Sequence, residues 1–209
     1  MLFISNVEPS KLKTASRSIV MLTGDGRWED RLVEGFCKKF DGGYRGKSVI
    51  SLRGPIVGRI TGIASLSQIK ILIGKFGVRD FIWLCDKEHF ERIDGWENRI
   101  MDALRVYGIN AVIGESYDGH AKFYLEFGGK RAIVWAALVG VERKLEENLV
   151  KLIKMQYEKK IEPTKDELRN FLKKHGMDVE TLIEKSAMDN LRESFPSVFT
   201  VFEKIHDDP

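Results

Sequence analysis

Four acidic residues in this chain of 209 residues stand where acid chemistry is often done. Asp86 and Glu88 are two positions apart, directly after the apolar run Phe81-Ile82-Trp83-Leu84-Cys85. In an extended backbone, side chains at i and i+2 project to the same side, so this pair is expected to converge. Asp25 follows an earlier apolar run, Ser18 to Thr23, and Glu29 comes one helical turn later. Carboxylates gathered at strand ends offer hard oxygen donors, which suit Mg²⁺ or Mn²⁺. They also repel one another; a divalent cation relieves the repulsion, and a metal-free cluster tends to hold a proton instead. The plainer role of such residues is to cap a helix or to place negative charge in its first turn.

The elements that must position these groups follow from periodicity. Ser18–Thr23, Ser48–Leu52 and Phe81–Cys85 are short continuous apolar runs, as expected of strands buried on both faces of a parallel sheet. Between them, Trp28 to Phe40 and Ser65 to Phe76 repeat apolar residues at helical spacing, with Ser65 expected as a cap. Trp96 to Tyr107 is a third helix, and Ile109–Ile113 a fourth strand. This alternation predicts an α/β fold with a largely parallel, Rossmann-like sheet flanked by helices. Gly128-Gly129 between two β-rich runs signals a hairpin over 120–140. From Glu142 the pattern is helical, over 142–160, 164–175, 179–194 and 198–205, and Thr164 with Glu167 has capping-box spacing. The expected organisation is an α/β domain over 1–140 and a helical C-terminal extension or subdomain over 141–209.

Composition narrows the classes of function. The chain is 43% hydrophobic and 31% charged, enough for a substantial core. It has no apolar run long enough for a membrane span, no signal-peptide pattern and two cysteines, so a soluble cytoplasmic protein is expected. The net charge of +3 hides an asymmetry. Residues 1–85 carry 14 basic and 7 acidic residues, a balance of +7; residues 142–209 carry 13 and 15, a balance of −2. A basic first half favours a polyanion, although such an excess also serves solubility. The glycine-rich stretch from Gly54 to Gly62, with Arg53 and Arg59, is a basic loop able to follow a phosphate backbone. Gly24-x-Gly26 invites a dinucleotide reading, but Glu29 occupies the third glycine position, and no Gly-Lys-Ser/Thr loop is present. Trp83, Trp135 and Cys85 read as core.

The arrangement Asp25-Gly26-Arg27-Trp28-Glu29 after Ile19–Leu22, followed by Asp86-Lys87-Glu88 after Phe81–Leu84, resembles the Toprim domain. That fold is shared by topoisomerases, primases and overcoming-lysogenization-defect nucleases. Its signature is a strand ending in Glu-Gly, a nearby helical acid, and a later strand ending in Asp-x-Asp. The likeness covers about residues 17–116. Lys144-Leu-Glu-Glu-Asn-Leu149 also looks like the Leu-Glu-rich helix of small stand-alone Toprim-like proteins. The chain departs from the signature twice, with Asp25 for Glu and Glu88 for the second Asp. Glu34-Gly35 is rejected as the Glu-Gly element because it falls inside a helix.

The resemblance implies Mg²⁺- or Mn²⁺-dependent phosphoryl transfer on DNA or RNA phosphodiesters. Asp25, Asp86 and Glu88 would hold the metal, and Asp25, Glu29, Asp86 and Glu88 would form the catalytic set. Arg27 and Lys87 would contact phosphate, and His89 would assist proton transfer. Exchanging Asp and Glu keeps the ligating group but changes its reach, and a displacement of about 1 Å can lower a rate on the order of a hundredfold. Catalysis is therefore more exposed to these departures than metal binding. Two alternatives remain: a catalytically inactive Toprim-like module binding nucleic acid or a protein, and a metal-dependent phosphatase of small molecules. The helical C-terminal region offers a surface for self-association or for a protein partner.

Overall fold

The computed structural model describes residues 1–8, 18–23, 27–40, 48–52, 60 and 62–207. It opens with β1 (Leu2–Val7), β2 (Ser18–Thr23), α1 (Arg27–Lys39) and β3 (Ser48–Leu52). A 3₁₀ turn (Gly62–Leu66), α2 (Ser67–Ile71) and a π-helical turn (Leu72–Phe76) then run as one segment into β4 (Asp80–Asp86). A 3₁₀ turn (Lys87–His89) leads to α3 (Trp96–Val106), then β5 (Asn110–Tyr117), β6 (His120–Phe127) and β7 (Lys130–Val139). The remainder is helical: α4 (Leu145–Tyr157), α5 (Lys165–Lys174), α6 (Val179–Lys185), α7 (Met188–Ser194) and α8 (Pro196–Asp207). No helix among the described residues is long and apolar enough to cross a membrane.

The fold is α/β, with seven strands in one mixed sheet ordered β1-β3-β2-β4-β7-β6-β5. β1, β3, β2, β4 and β7 pair in parallel, whereas β6 and β5 continue the sheet antiparallel. β4 lies at the centre, and its interior run is buried on both faces, as its continuous apolarity predicted. On one face, Val20, Phe81, Trp83 and Val134 pack against the 62–76 segment and α3. On the other, Met21, Ile82, Leu84 and Trp135 pack against α1 and the helices from α4 onward. The C-terminal helices therefore share a hydrophobic core with the sheet.

Several expectations change, among them the single helix expected over 179–194, which is two helices, α6 and α7. The opening apolar residues form β1, an edge strand beside β3 that was not anticipated. The strand at 109–113 is the start of β5, and it joins β6 antiparallel instead of extending the parallel series. The Gly128-Gly129 hairpin is present, and its second strand, β7, lies parallel beside β4 as an interior strand of the sheet. The physical reason is in β7 itself: Val134–Val139 is buried without interruption, the pattern of an interior strand.

Two small residues have roles fixed by packing. Ser65 does not cap α2; its hydroxyl donates to the Gly62 carbonyl at 2.7 Å and accepts from Trp83 Nε1 at 2.9 Å. It thereby satisfies a fully buried indole N–H, which would otherwise be left without a partner in the core. Gly35 lets α1 approach α6: a Cβ there would lie 2.7 Å from Ile183 Cβ and 2.9 Å from the Glu180 carbonyl oxygen. Neither atom can swing aside as a side-chain tip would. Gly35→Ala should gain about 1 kcal/mol in helix propensity and lose about 1–3 kcal/mol to overpacking. A lowered midpoint of thermal unfolding is expected; a raised one would contradict this packing.

Candidate active site

The strand order places a topological switch at β2. From β2 the chain passes through α1 on one face to β3, then returns across the opposite face through the 62–76 segment to β4 on the other side. Connections that diverge in this way leave a crevice at the carboxyl ends of the two strands, where ligands of open α/β sheets bind. β2 and β4 are the strands that precede Asp25 and Asp86.

A pocket of about 210 Å³ lies at this end of the sheet, lined by Trp28, Glu29, Asp86, Glu88, Lys144, Leu145, Glu146, Lys165 and Arg169. Glu29, in the first turn of α1, and Asp86, the last residue of β4, are both buried. Glu88 reaches the same pocket, although the chain turns into a 3₁₀ helix at Lys87 and does not stay extended. The pocket thus joins four carboxylates with three cations.

Five of these charges are held by identifiable contacts. Asp86 Oδ1 accepts the Leu145 backbone N–H at 3.0 Å, so this carboxylate caps the first turn of α4 from across the fold. Glu88 pairs with Lys144 at 3.2 Å, and its backbone N–H donates to the Arg143 carbonyl at 3.0 Å. Glu146 pairs with Lys165 at 3.6 Å. The loop carrying Lys144 is fixed by α4: Glu147 Oε2 accepts the N–H groups of Glu142 and Arg143, at 2.7 and 2.9 Å. Asn148 accepts from the Gly140 N–H and donates to the Ser194 carbonyl. Gly140 has φ 103°, and a Cβ there would lie 2.5 Å from Arg143 carbonyl carbon and Lys144 nitrogen. Next to Glu29, burial pushes the Asp30 carboxyl above its ordinary range, against the opposing effects of its hydrogen bond with Ser51 and of the Arg31 charge.

Asp25, Arg53 and Arg59 lie outside the described residues, as does the side chain of Arg27. Lys87 turns away from the acidic pocket: its ammonium donates to the Val141 carbonyl at 3.0 Å, and it lines a separate cavity beside α8. His89 sets its ring against Gly62, where a Cβ would lie 2.7 Å from His89 Nδ1. Trp83 and Cys85 are core, as expected.

The sequence reading did not foresee Lys144, Glu146, Lys165 or Arg169 as site residues. Lys144 and Glu146 belong to the Leu-Glu-rich segment already noted for its likeness to Toprim-like proteins, but with no site role attached. Lys165 and Arg169 carry an i, i+4 signal, which puts both on one face of α5 without saying what that face meets.

All-oxygen donors such as Glu29, Asp86 and Glu88 fit a hard divalent cation in kind. Among the described residues, however, no three acidic, histidine or cysteine side chains are gathered closely enough to hold an ion as they stand. The Lys144 and Lys165 ammonium groups share this space with the carboxylates. Comparison with protein-family models, curated proteins and solved structures finds no match to this chain.

Asn148 is the test of how the pocket wall is built. Asn148→Ala would leave the Gly140 N–H and the Ser194 carbonyl without their partner, at a cost of about 2 kcal/mol or more. Urea unfolding should show that loss; an unchanged midpoint would mean that the 140–144 loop is held by other contacts.

Proposed function

We propose that this chain is a Toprim-like, metal-assisted phosphodiesterase acting on nucleic acid. The observation that carries the reading is the convergence of Glu29, Asp86 and Glu88 on one pocket at the carboxyl ends of β2 and β4, beside three cations. Support also comes from the order of elements. A strand, a helix with acids in its first turn, two further parallel strands and an acidic pair come in the order of the Toprim signature.

The proposed chemistry divides among residues by position. Lys144, Lys165 and Arg169 receive the non-bridging phosphate oxygens and offset their charge. Asp86 and Glu88 would hold Mg²⁺ or Mn²⁺, with Asp25 as a further ligand, and the ion would supply charge neutralisation at the phosphate. Glu29, buried in the pocket wall, accepts the proton of the attacking water as its oxygen bonds to phosphorus. The P–O bond to the departing sugar oxygen breaks, and that oxygen takes its proton from solvent. Binding of a phosphate or a cation requires the Glu88–Lys144 and Glu146–Lys165 pairs to separate, and each would then face a new partner of opposite charge.

A second reading is a module that binds nucleic acid without cleaving it. It is favoured by those same ion pairs, which already neutralise two of the carboxylates. Cleavage assays on single- and double-stranded DNA and RNA with Mg²⁺ or Mn²⁺ separate the two. The phosphodiesterase reading expects metal-dependent cleavage that falls on the order of a hundredfold or more in Glu88→Gln and in Glu29→Gln, since removing a general base alone costs about 10²- to 10⁴-fold. Cleavage unchanged in both variants, or hydrolysis confined to small phosphate esters, would overturn it.

A further inference from the structure

A second hollow, of about 520 Å³, adjoins the acidic pocket and shares Trp28 and Arg169 with it. Its floor is apolar, formed by Leu172, Met177 and Val179, and Trp28 forms one wall. Trp83, Trp96 and Trp135 are buried, whereas Trp28 is only partly covered by the core beneath it. A partly exposed indole beside an apolar floor is a stacking platform of the kind that holds bases of single-stranded nucleic acid.

Three cations outnumber one carboxylate on the rim, and that carboxylate, Asp178, is engaged by the Thr181 N–H at 2.9 Å. Lys165, Arg169 and Lys173 recur every four residues along α5. They form one stripe, with steps of about 6 Å along the helix axis. Lys165 and Arg169 line the acidic pocket, and Arg169 and Lys173 line the hollow, so the stripe runs from one to the other. The step is close to the phosphate spacing of an extended strand. Among the described residues, Arg169 is paired only with the exposed Asp166, at 3.4 Å, and Lys173 makes no ion pair. Arg31, also on the rim, is already engaged by Glu34 and Glu180, at 2.8 and 3.0 Å. Arg169 and Lys173 are therefore the cations that a phosphate meets at least cost.

We propose that the hollow takes an unpaired base of a single-stranded nucleic acid, stacked on Trp28, while Arg169 and Lys173 hold the phosphates that lead into the acidic pocket. The proposal rests on reading that pocket as a phosphodiester site, and it names the substrate as single-stranded. A base in a duplex is stacked and paired, so it cannot enter a concave hollow without being extruded.

The test is equilibrium binding in EDTA, where cleavage cannot occur, with a fluorescein-labelled oligothymidylate, its duplex with oligoadenylate, and oligouridylate as competitor. Single strands should bind at least about tenfold more tightly than duplex and should quench tryptophan emission. Loss of one base–aromatic stack corresponds to about 5- to 150-fold in affinity, so Trp28→Ala should weaken binding within that range while Trp28→Phe keeps most of it. Lys173→Glu, on an exposed helix face, should weaken binding and lessen its salt dependence without changing thermal unfolding. Equal affinity for duplex and single strand, no binding at all, or binding unchanged in both Trp28→Ala and Lys173→Glu would overturn the proposal. Strand binding that depends on Trp28, with no metal-dependent cleavage, would leave this site standing and remove the phosphodiesterase reading. Cleavage that depends on Glu88 but is indifferent to Trp28 would do the reverse.

Discussion

The hydrogen bond from the Leu145 N–H to Asp86 Oδ1 joins the two halves of the sequence. Asp86 ends the central strand of the sheet, and Leu145 begins the helix that follows β7. Both groups are buried, so an unmade bond would cost about 1–3 kcal/mol, more because one partner is a carboxylate. Around this contact the chain has little freedom. Glu147 and Asn148 hold the loop on the α4 side, and the Glu88 N–H to Arg143 carbonyl bond ties the β4 side to the same loop. Lys144 and Glu146 flank Leu145, so fixing that residue brings both to the pocket.

This arrangement explains why the pocket has mixed charge. Carboxylates alone at the strand ends would repel one another and shift toward the protonated state. Lys144 and Lys165 pair with Glu88 and Glu146 through ammonium-bearing side chains that are half exposed or more, so these pairs are weak and exchangeable. Exchangeable pairing suits a site that must admit an anion and a cation together. The same cations continue along α5 toward Trp28, which gives the pocket a direction as well as a charge.

Much of the parallel core was legible because strands buried on both faces read as continuous apolar runs. Phe81–Cys85 and Ser18–Thr23 announced themselves in this way, as did the hairpin turn at Gly128-Gly129 and the Thr164 cap, whose hydroxyl accepts the Glu167 N–H. β1 was illegible because it is an edge strand with exposed Leu2 and Ile4, and its pattern lacks a buried period. The turn at Asp118-Gly119 was a readable hairpin signal between β5 and β6, and it fixes their antiparallel pairing. The position of β7 was harder, since nothing local states which strand it will meet. The acidic pair was singled out from its spacing at a strand end, although the extended backbone behind that expectation gives way to a 3₁₀ turn at Lys87. Its partners Glu146, Lys165 and Arg169 were not, because a contact between residues so far apart in sequence is set by how α4 and α5 pack, not by a local pattern.

The central claim is that the carboxylates at the β4 end form a cation site and are not merely helix-capping and ion-pairing groups. Titration of the intact chain with Mn²⁺, read by electron paramagnetic resonance, tests it most directly. The account predicts one bound Mn²⁺ that Mg²⁺ displaces and that is lost in Glu88→Gln, whose backbone N–H still donates to the Arg143 carbonyl. A chain that binds no Mn²⁺, or that binds it equally well without the Glu88 carboxylate, would contradict it.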